Sequence, residues 1–501
     1  MLKNISRFGL LFVIVLACYL RLHGITNGFP YIFHPDEPTI VRSALGIRFF
    51  PNPGHFDWPH LYIYANYAVY MGFAKLRDVL VALNLRPTVE GLLPIIWDDS
   101  LIYYLITRIF TALLGGLTVI PIYLTAKKLF GIKAALFSSL AFALIPFHIR
   151  HTHYSLPDGP MVFLLAWSVY FSSRILISDD SNNYIGAGAY AGFAASAKYN
   201  GGLVSLLVPF AHFARSIKNR ERILKLKNLK DLLVAGIMAV VAFVIGTPYS
   251  VIDYKTFTRT DGPEGALWQF TNVGSVSLVE RPLKFITEML HRVSDDLAYS
   301  LLLIFFLVLV ILVVKLVLKK SQPLDYYAWV FVLYGMSLLF YVSGFERPRS
   351  HYYMIAYPFI AIVFGYFCSW LIDTFAYRYK VPVFLLLVLL FSVPLYYASK
   401  ESFTFGNSDT RNILDAWLNQ NTNPSSKVLY TSADFSPVMK EHKLITHKGV
   451  DSNLVNSNTF IVLPLDSKDT SLLQSKYTLE PIYSISNEYR NGPSIQIYKI
   501  K

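Results

Sequence analysis

Long apolar runs alternate with short polar breaks along most of the chain, and many runs approach the roughly 20 residues a helix needs to cross a bilayer. The pattern predicts about eleven such helices: Phe8 to Leu22, then 103–125, 133–149, 160–178, 184–198, 200–214, 231–248, 299–318, 326–344, 352–373 and 381–397. A further apolar stretch, WPHLYIYANYAVYMGFAKL at 58–76, is read as an interfacial or re-entrant helix, since counting it as a span would reverse the sidedness of every later loop. From Arg411 the pattern changes. RNILDAWLNQN has helical spacing, while KVLYTSA, TFIVLPLD and SIQIYKI read as strands. The expected fold class is therefore mainly α: a polytopic membrane domain over 1–397 and a small soluble α/β domain over 398–501.

Composition agrees with the pattern. Only 15% of the 501 residues are charged and 54% are hydrophobic, against roughly 25% charged in a soluble domain. The excess of 45 Lys+Arg over 32 Asp+Glu would raise the question of nucleic acid in a soluble protein. Here the cations fall in alternate loops: Lys127, Lys128 and Lys133; Arg174; the run 215–231; Lys315, Lys319 and Lys320; Arg378 and Lys380. The positive-inside rule then predicts a multi-pass cell-membrane protein with a cytoplasmic N-terminus. Loops 23–102, 150–159 and 249–298 and the C-terminal domain are expected outside, with membrane lipids and not nucleic acid as neighbours. No small-residue cleavage site follows the first apolar run, so it reads as an uncleaved anchor. Cys18 and Cys368 lie in separate runs, which excludes a disulfide framework and a cysteine metal site. The one Asn-x-Ser/Thr sequon, at Asn4, is on the predicted cytoplasmic side and leans towards a prokaryotic membrane.

A transporter usually keeps its ionisable residues in mid-membrane; this chain gathers them at the outer ends of its spans. In YIFHPDEPTIVRSAL (31–45), Pro38 suits the first turn of a helix that would hold Asp36 and Glu37 at its N-terminus, where dipole and free amides favour carboxylates. Asp36 is then either a general base for a hydroxyl or amine, or a helix cap. In RHTHYSLPDGP (150–160), Asp158 between Pro157 and Gly159 poses the same choice. His151 and His153 do not have zincin spacing, and no metal site is assigned. ERPRSHYYMIAYP (346–358) supplies Arg347, Arg349 and His351, with Tyr352 and Tyr353 entering the next span. Arginine forks suit phosphate oxygens, and Lys198 is a further phosphate candidate; anchoring to lipid head groups is the alternative. GAGAYAG (186–192) lacks the third glycine of a dinucleotide fingerprint and reads as small-residue helix packing. No Walker motif is present, so a transferase here needs a donor already in the membrane.

In order, FHPDEP, WPHLYIY, RIFTALLGGLTVIPIYLTAKKLFG (108–131), RHTHYSLPDGPMVF, GFAASAKYNGGLVSLLVP (192–209), GTPYSVID (246–253) and RPRSHYYMIAYPFIAI resemble the membrane glycosyltransferases of family 39, which include dolichyl-phosphate-mannose protein mannosyltransferases and lipid A aminoarabinose transferases. The resemblance covers the whole membrane portion. It implies a GT-C fold and a polyprenyl-phosphate-linked sugar donor. Transfer would invert the anomeric carbon, towards a lipid, glycan or protein acceptor on the extracytoplasmic side. It places the base on Asp36 with Glu37 beside it, the second acidic residue on Asp158 and the family lysine on Lys198, and it implies no cofactor, with a divalent metal left open. Arg347, Arg349, His351 and Tyr353 complete the expected donor-phosphate set. The chain departs from the lipid A enzymes at Asp57, Trp58 and Pro59, where those carry Glu-Lys-Pro, so no basic role passes to position 58. The α/β tail also differs from the all-β domain of eukaryotic protein mannosyltransferases. Two rivals remain on the sequence alone: a flippase or transporter of lipid-linked sugars, and a scaffold acting through its tail.

Overall fold

The computed structural model describes residues 2–85, 100–220, 226–423, 426–430, 432–439, 445–446, 459–465, 473 and 477–500. Parts of the expected outer loop 23–102 and of the basic run 215–231 lie outside the described residues. Two compact units emerge: Met1–Leu22 with Thr39–Ser399, and His23–Pro38 with Lys400–Lys501.

The first unit is helical, a multi-pass membrane architecture. Six described helical segments are long and apolar enough to cross a membrane: Leu101–Phe130, Leu229–Gly246, Ser300–Val317, Pro323–Ser343, Ser350–Phe375 and Lys380–Asn421, the last running on into the second unit. The expected count of eleven is therefore not reached by length and composition. The run expected at 133–149 shows why. Pro146 lacks an amide hydrogen and forces Ile145 into extended backbone (φ −69°, ψ 112°), so the helix Ile132–Ala143 stops and a short one, Pro146–His151, restarts. Twelve residues reach only about 18 Å, short of the hydrocarbon thickness. The interfacial candidate at 58–76 forms the helix Leu61–Ala82, which is not among the six.

Helix packing follows small residues. A Cβ added to Gly188 or Gly192 would fall 2.1 Å from the carbonyl oxygens of Ala235 or Ala239 on the helix Leu226–Gly246, so GAGAYAG is a packing motif, as its context suggested. The helix Tyr357–Phe375, apolar nearly all round, is the buried centre of the unit. Gly365 lets it approach Ser138 and the carbonyl of Ala134.

The second unit holds the α/β module. The helix Thr410–Asn421 is capped by Asp409, whose carboxylate accepts from the Arg411 amide. Among the described residues five strands follow, β1 (Lys427–Tyr430), β2 (Ile445–Thr446), β3 (Thr459–Pro464), β4 (Leu479–Ile485) and β5 (Ile495–Ile500), in the order β2-β1-β3-β5-β4. β1 pairs in parallel with β2 and β3, while β5 runs antiparallel to β3 and β4. Leu414 and Leu418 pack on Val428, Val462 and Ile497. Sequence periodicity anticipates β1, β3 and β5; β4 is an edge strand with Pro481 in it and mostly exposed side chains, so it carries no alternation to find.

Candidate active site

In the first unit, the restart at Pro146 carries the chain through His151 and around a turn to Asp158, the first residue of the helix Asp158–Ile175. The N-cap of that helix is Pro157, which has no side-chain cap bond. The Asp158 carboxylate is 2% exposed and accepts from Lys198 Nζ at 2.7 and 2.8 Å, and His151 Nε2 lies 3.1 Å from Oδ2. Lys198 reaches it because its own backbone is extended (φ −155°, ψ 133°) between the helix Ser181–Ala197 and a 3-10 turn starting at Tyr199. A buried carboxylate needs partners of this kind.

Rings close over the pair. His151 is sandwiched between Phe147 at 5.4 Å and His351 at 5.4 Å, both nearly parallel to it. Tyr352 stands edge-on to His351 at 4.5 Å, and Lys198 Nζ lies 5.9 Å from the Tyr352 ring centre. Three elements far apart in sequence thus meet at one point: 147–158, 198 and 351–352. Arg347 and Arg349, expected with them, are exposed. Tyr353, also expected to bind donor phosphate, is instead a core residue: it is fully buried with its hydroxyl 3.0 Å from Ser343 Oγ, because the first helical turn after Arg349 rotates it inward.

Sequence reasoning gave His151 no role beyond a rejected metal ligand, and its place beside Asp158 depends on the fold. It also missed Asp296, at the end of the turn Ser294–Asp296 that packs on Pro146–His151. Burial pushes the Asp296 carboxyl up to about 7, partly offset by the Ser350 hydroxyl and Arg150. Its Oδ2 meets no hydrogen-bond partner among the described residues.

In the second unit, Asp36 immediately precedes the helix Glu37–Gly46, with Pro38 in the first turn as its sequence predicts. Glu37 is fully buried. Asp36 is half-buried; its amide donates to His34 Nδ1 at 3.3 Å, and its carboxylate meets no hydrogen bond or ion pair among the described residues. A carboxylate with open lone pairs at a helix start has the form of a proton acceptor.

Residues 105–246 match the family described as dolichyl-phosphate-mannose-protein mannosyltransferase, a stretch that includes Asp158 and Lys198. No curated protein matches the sequence significantly. Among solved structures, the chain resembles the Archaeoglobus fulgidus oligosaccharyltransferase AglB in complex with an inhibitory peptide and a dolichol-phosphate, at TM-score 0.53 and 12% identity over 96% of this chain and 73% of that one. It also resembles apo ArnT from Cupriavidus metallidurans, at TM-score 0.51 and 13% identity over 99% and 98%. At such identities the likeness is one of fold.

Proposed function

We propose that this chain is a membrane glycosyltransferase of the GT-C type that moves a sugar from a polyprenyl-phosphate donor to an acceptor on the extracytoplasmic side, with inversion. Supporting the donor class are the family match and the dolichol-phosphate held by the structurally similar oligosaccharyltransferase. The observation that carries the reading is the division of labour between two carboxylates. Asp158 is saturated by Lys198 and His151 and is unsuited to accept a proton; the Asp36 carboxylate has no hydrogen bond or ion pair among the described residues.

In this reading Asp36 takes the proton of an acceptor hydroxyl or amine as that atom bonds to the anomeric carbon. The bond from that carbon to the phosphate oxygen breaks, and polyprenyl phosphate leaves with the electron pair. Lys198, Arg347, Arg349 and His351 hold the departing phosphate, whose growing charge competes with Asp158 for the lysine. Glu37, the next residue, is fully buried at the first position of the helix and orients the acceptor or sugar only through its neighbours. The test uses radiolabelled dolichyl-phosphate mannose supplied to native membranes containing the protein. Wild-type chain should transfer label and Asp36→Asn should not. Retained transfer in the variant sinks the base assignment; donor flipping with no transfer in the wild type sinks the enzyme.

A further inference from the structure

The segment before Asp36 has no regular structure of its own. From His23 to Pro35 it is a chain of turns, with Gly24 and Gly28 at φ +74° and +88°. Such a stretch has little to hold it in one conformation unless side chains from elsewhere satisfy its backbone.

Here they do, and they come from the C-terminal 102 residues with which 23–38 forms one unit. The Asn412 amide donates to the carbonyls of Gly28 at 3.2 Å and Phe29 at 2.9 Å. The Arg411 guanidinium lies 3.6 Å over the Phe33 ring, three residues before Asp36. That guanidinium is itself fixed by a fork to Asp409, at 2.8 Å through Nε and 2.8 Å through Nη2, and Asp409 is 1% exposed. Asn27 closes the set: its amide donates to the carbonyls of Phe405 and Asn407, and its Oδ1 accepts from Asn491 at 2.9 Å. At Gly24 a Cβ would fall 2.2 Å from the Phe405 carbonyl carbon, so that contact admits only glycine.

A module present only for solubility or partner binding has no need to place a desolvated Asp–Arg fork on one ring of another segment. We propose that the C-terminal module positions the proposed base, with Arg411 and Asn412 as positioning residues that hold 28–33 so that Asp36 is presented in one geometry. This deepens the reading above and rests on Asp36 being the base.

The experiment compares full-length wild type, Arg411→Ala, Arg411→Lys and Asn412→Ala. Hydrogen–deuterium exchange in detergent, with no substrate, reads the segment itself; transfer from dolichyl-phosphate mannose reads the consequence. Arg411→Ala should speed exchange in 24–36 while leaving the membrane helices unchanged. It should lower kcat roughly 10- to 100-fold, the scale of a misplaced catalytic group, with KM for the donor unchanged. Arg411→Lys, which keeps a cation for Phe33, should recover part of kcat. Asn412→Ala should act in the same direction more weakly, and it stands in if Arg411→Ala does not accumulate. Faster exchange with unchanged kcat overturns the proposal and leaves Asp36 as base, as does unchanged exchange, or a raised donor KM at constant kcat. Full transfer by Asp36→Asn removes the base assignment, and this inference with it, whatever Arg411 does.

Discussion

Asp36 and Asp158 stand in similar local settings. Each sits where a helix begins, each has a proline within two residues after it, and each follows a histidine-bearing stretch. The fold sends them opposite ways. Lys198, forty residues downstream, and His151 take up the oxygens of Asp158 and bury it; no described residue does so for Asp36, which belongs with 23–38 to the unit that holds the C-terminal module. The local grammar of a helix start places a carboxylate, and distant residues decide whether it becomes a fastening or a base.

The comparison breaks most easily at the open carboxylate. Asp36→Asn should cost roughly 10²- to 10⁴-fold in kcat and shift stability by no more than about 0.5 kcal/mol, since no contact is removed. Turnover and thermal midpoint measured on the same preparation check both halves. A large loss of stability would show that the carboxylate is a fastening after all.

Asp158→Asn should do the reverse, lowering stability first. It leaves a partly buried lysine facing an amide, and removing one member of a buried pair costs about 3–5 kcal/mol. Because Lys198 is still 15% exposed, the lower end is expected. Adding Lys198→Met to Asp158→Asn should restore part of the thermal midpoint without restoring transfer. Additivity of the two single substitutions in a double-mutant cycle would mean that the pair is not coupled.

Much of this was legible before any coordinates. The helix start at Asp36, the glycine packing at 186–192 and three of the five described strands follow from periodicity, proline placement and turn chemistry. What the sequence withheld is of one physical kind: partner choice at long range. Capping accounts as well as pairing for an aspartate between Pro157 and Gly159, until Lys198 is seen to be thrown inward by a single extended residue. Tyr353 and Tyr352 are neighbours in a polar run; only the rotation of a helical turn decides that Tyr352 flanks the site while Tyr353 enters the core. Hydropathy alone also does not show that Pro146 divides the run 133–149 into two short helices.

Asp296 sharpens the comparison as a third case, buried like Asp158 yet with one oxygen that meets no hydrogen-bond partner among the described residues. Its folded pKa, about 7, lies above the value near 3.8 of a free carboxyl, so the folded state binds more protons between the two. Its contribution to stability is therefore complete below the lower value and is lost as pH rises through about 7. Asp296→Asn, which keeps the neutral form, should flatten the fall in thermal midpoint between about pH 4 and pH 7 while leaving stability below that window nearly unchanged. An identical pH dependence in wild type and variant would remove Asp296 from the account.

The smallest effects concern the cations. Arg347 and Arg349 are exposed, so substitution by Gln should leave folding intact. If these forks hold the donor phosphate, each change should raise the KM for dolichyl-phosphate mannose by about tenfold, one charge-assisted bond of roughly 1.5 kcal/mol, with kcat little altered. Tyr353→Phe is the contrasting control: its hydroxyl serves Ser343 in the core, and its loss should cost about 1 kcal/mol of stability with no change in donor KM. The two kinds of variant separate because exposure and function run together only for the arginines. Should Tyr353→Phe raise the donor KM while both arginine variants leave it untouched, the phosphate is held from within the helix core, and the cationic loop serves the lipid head groups instead.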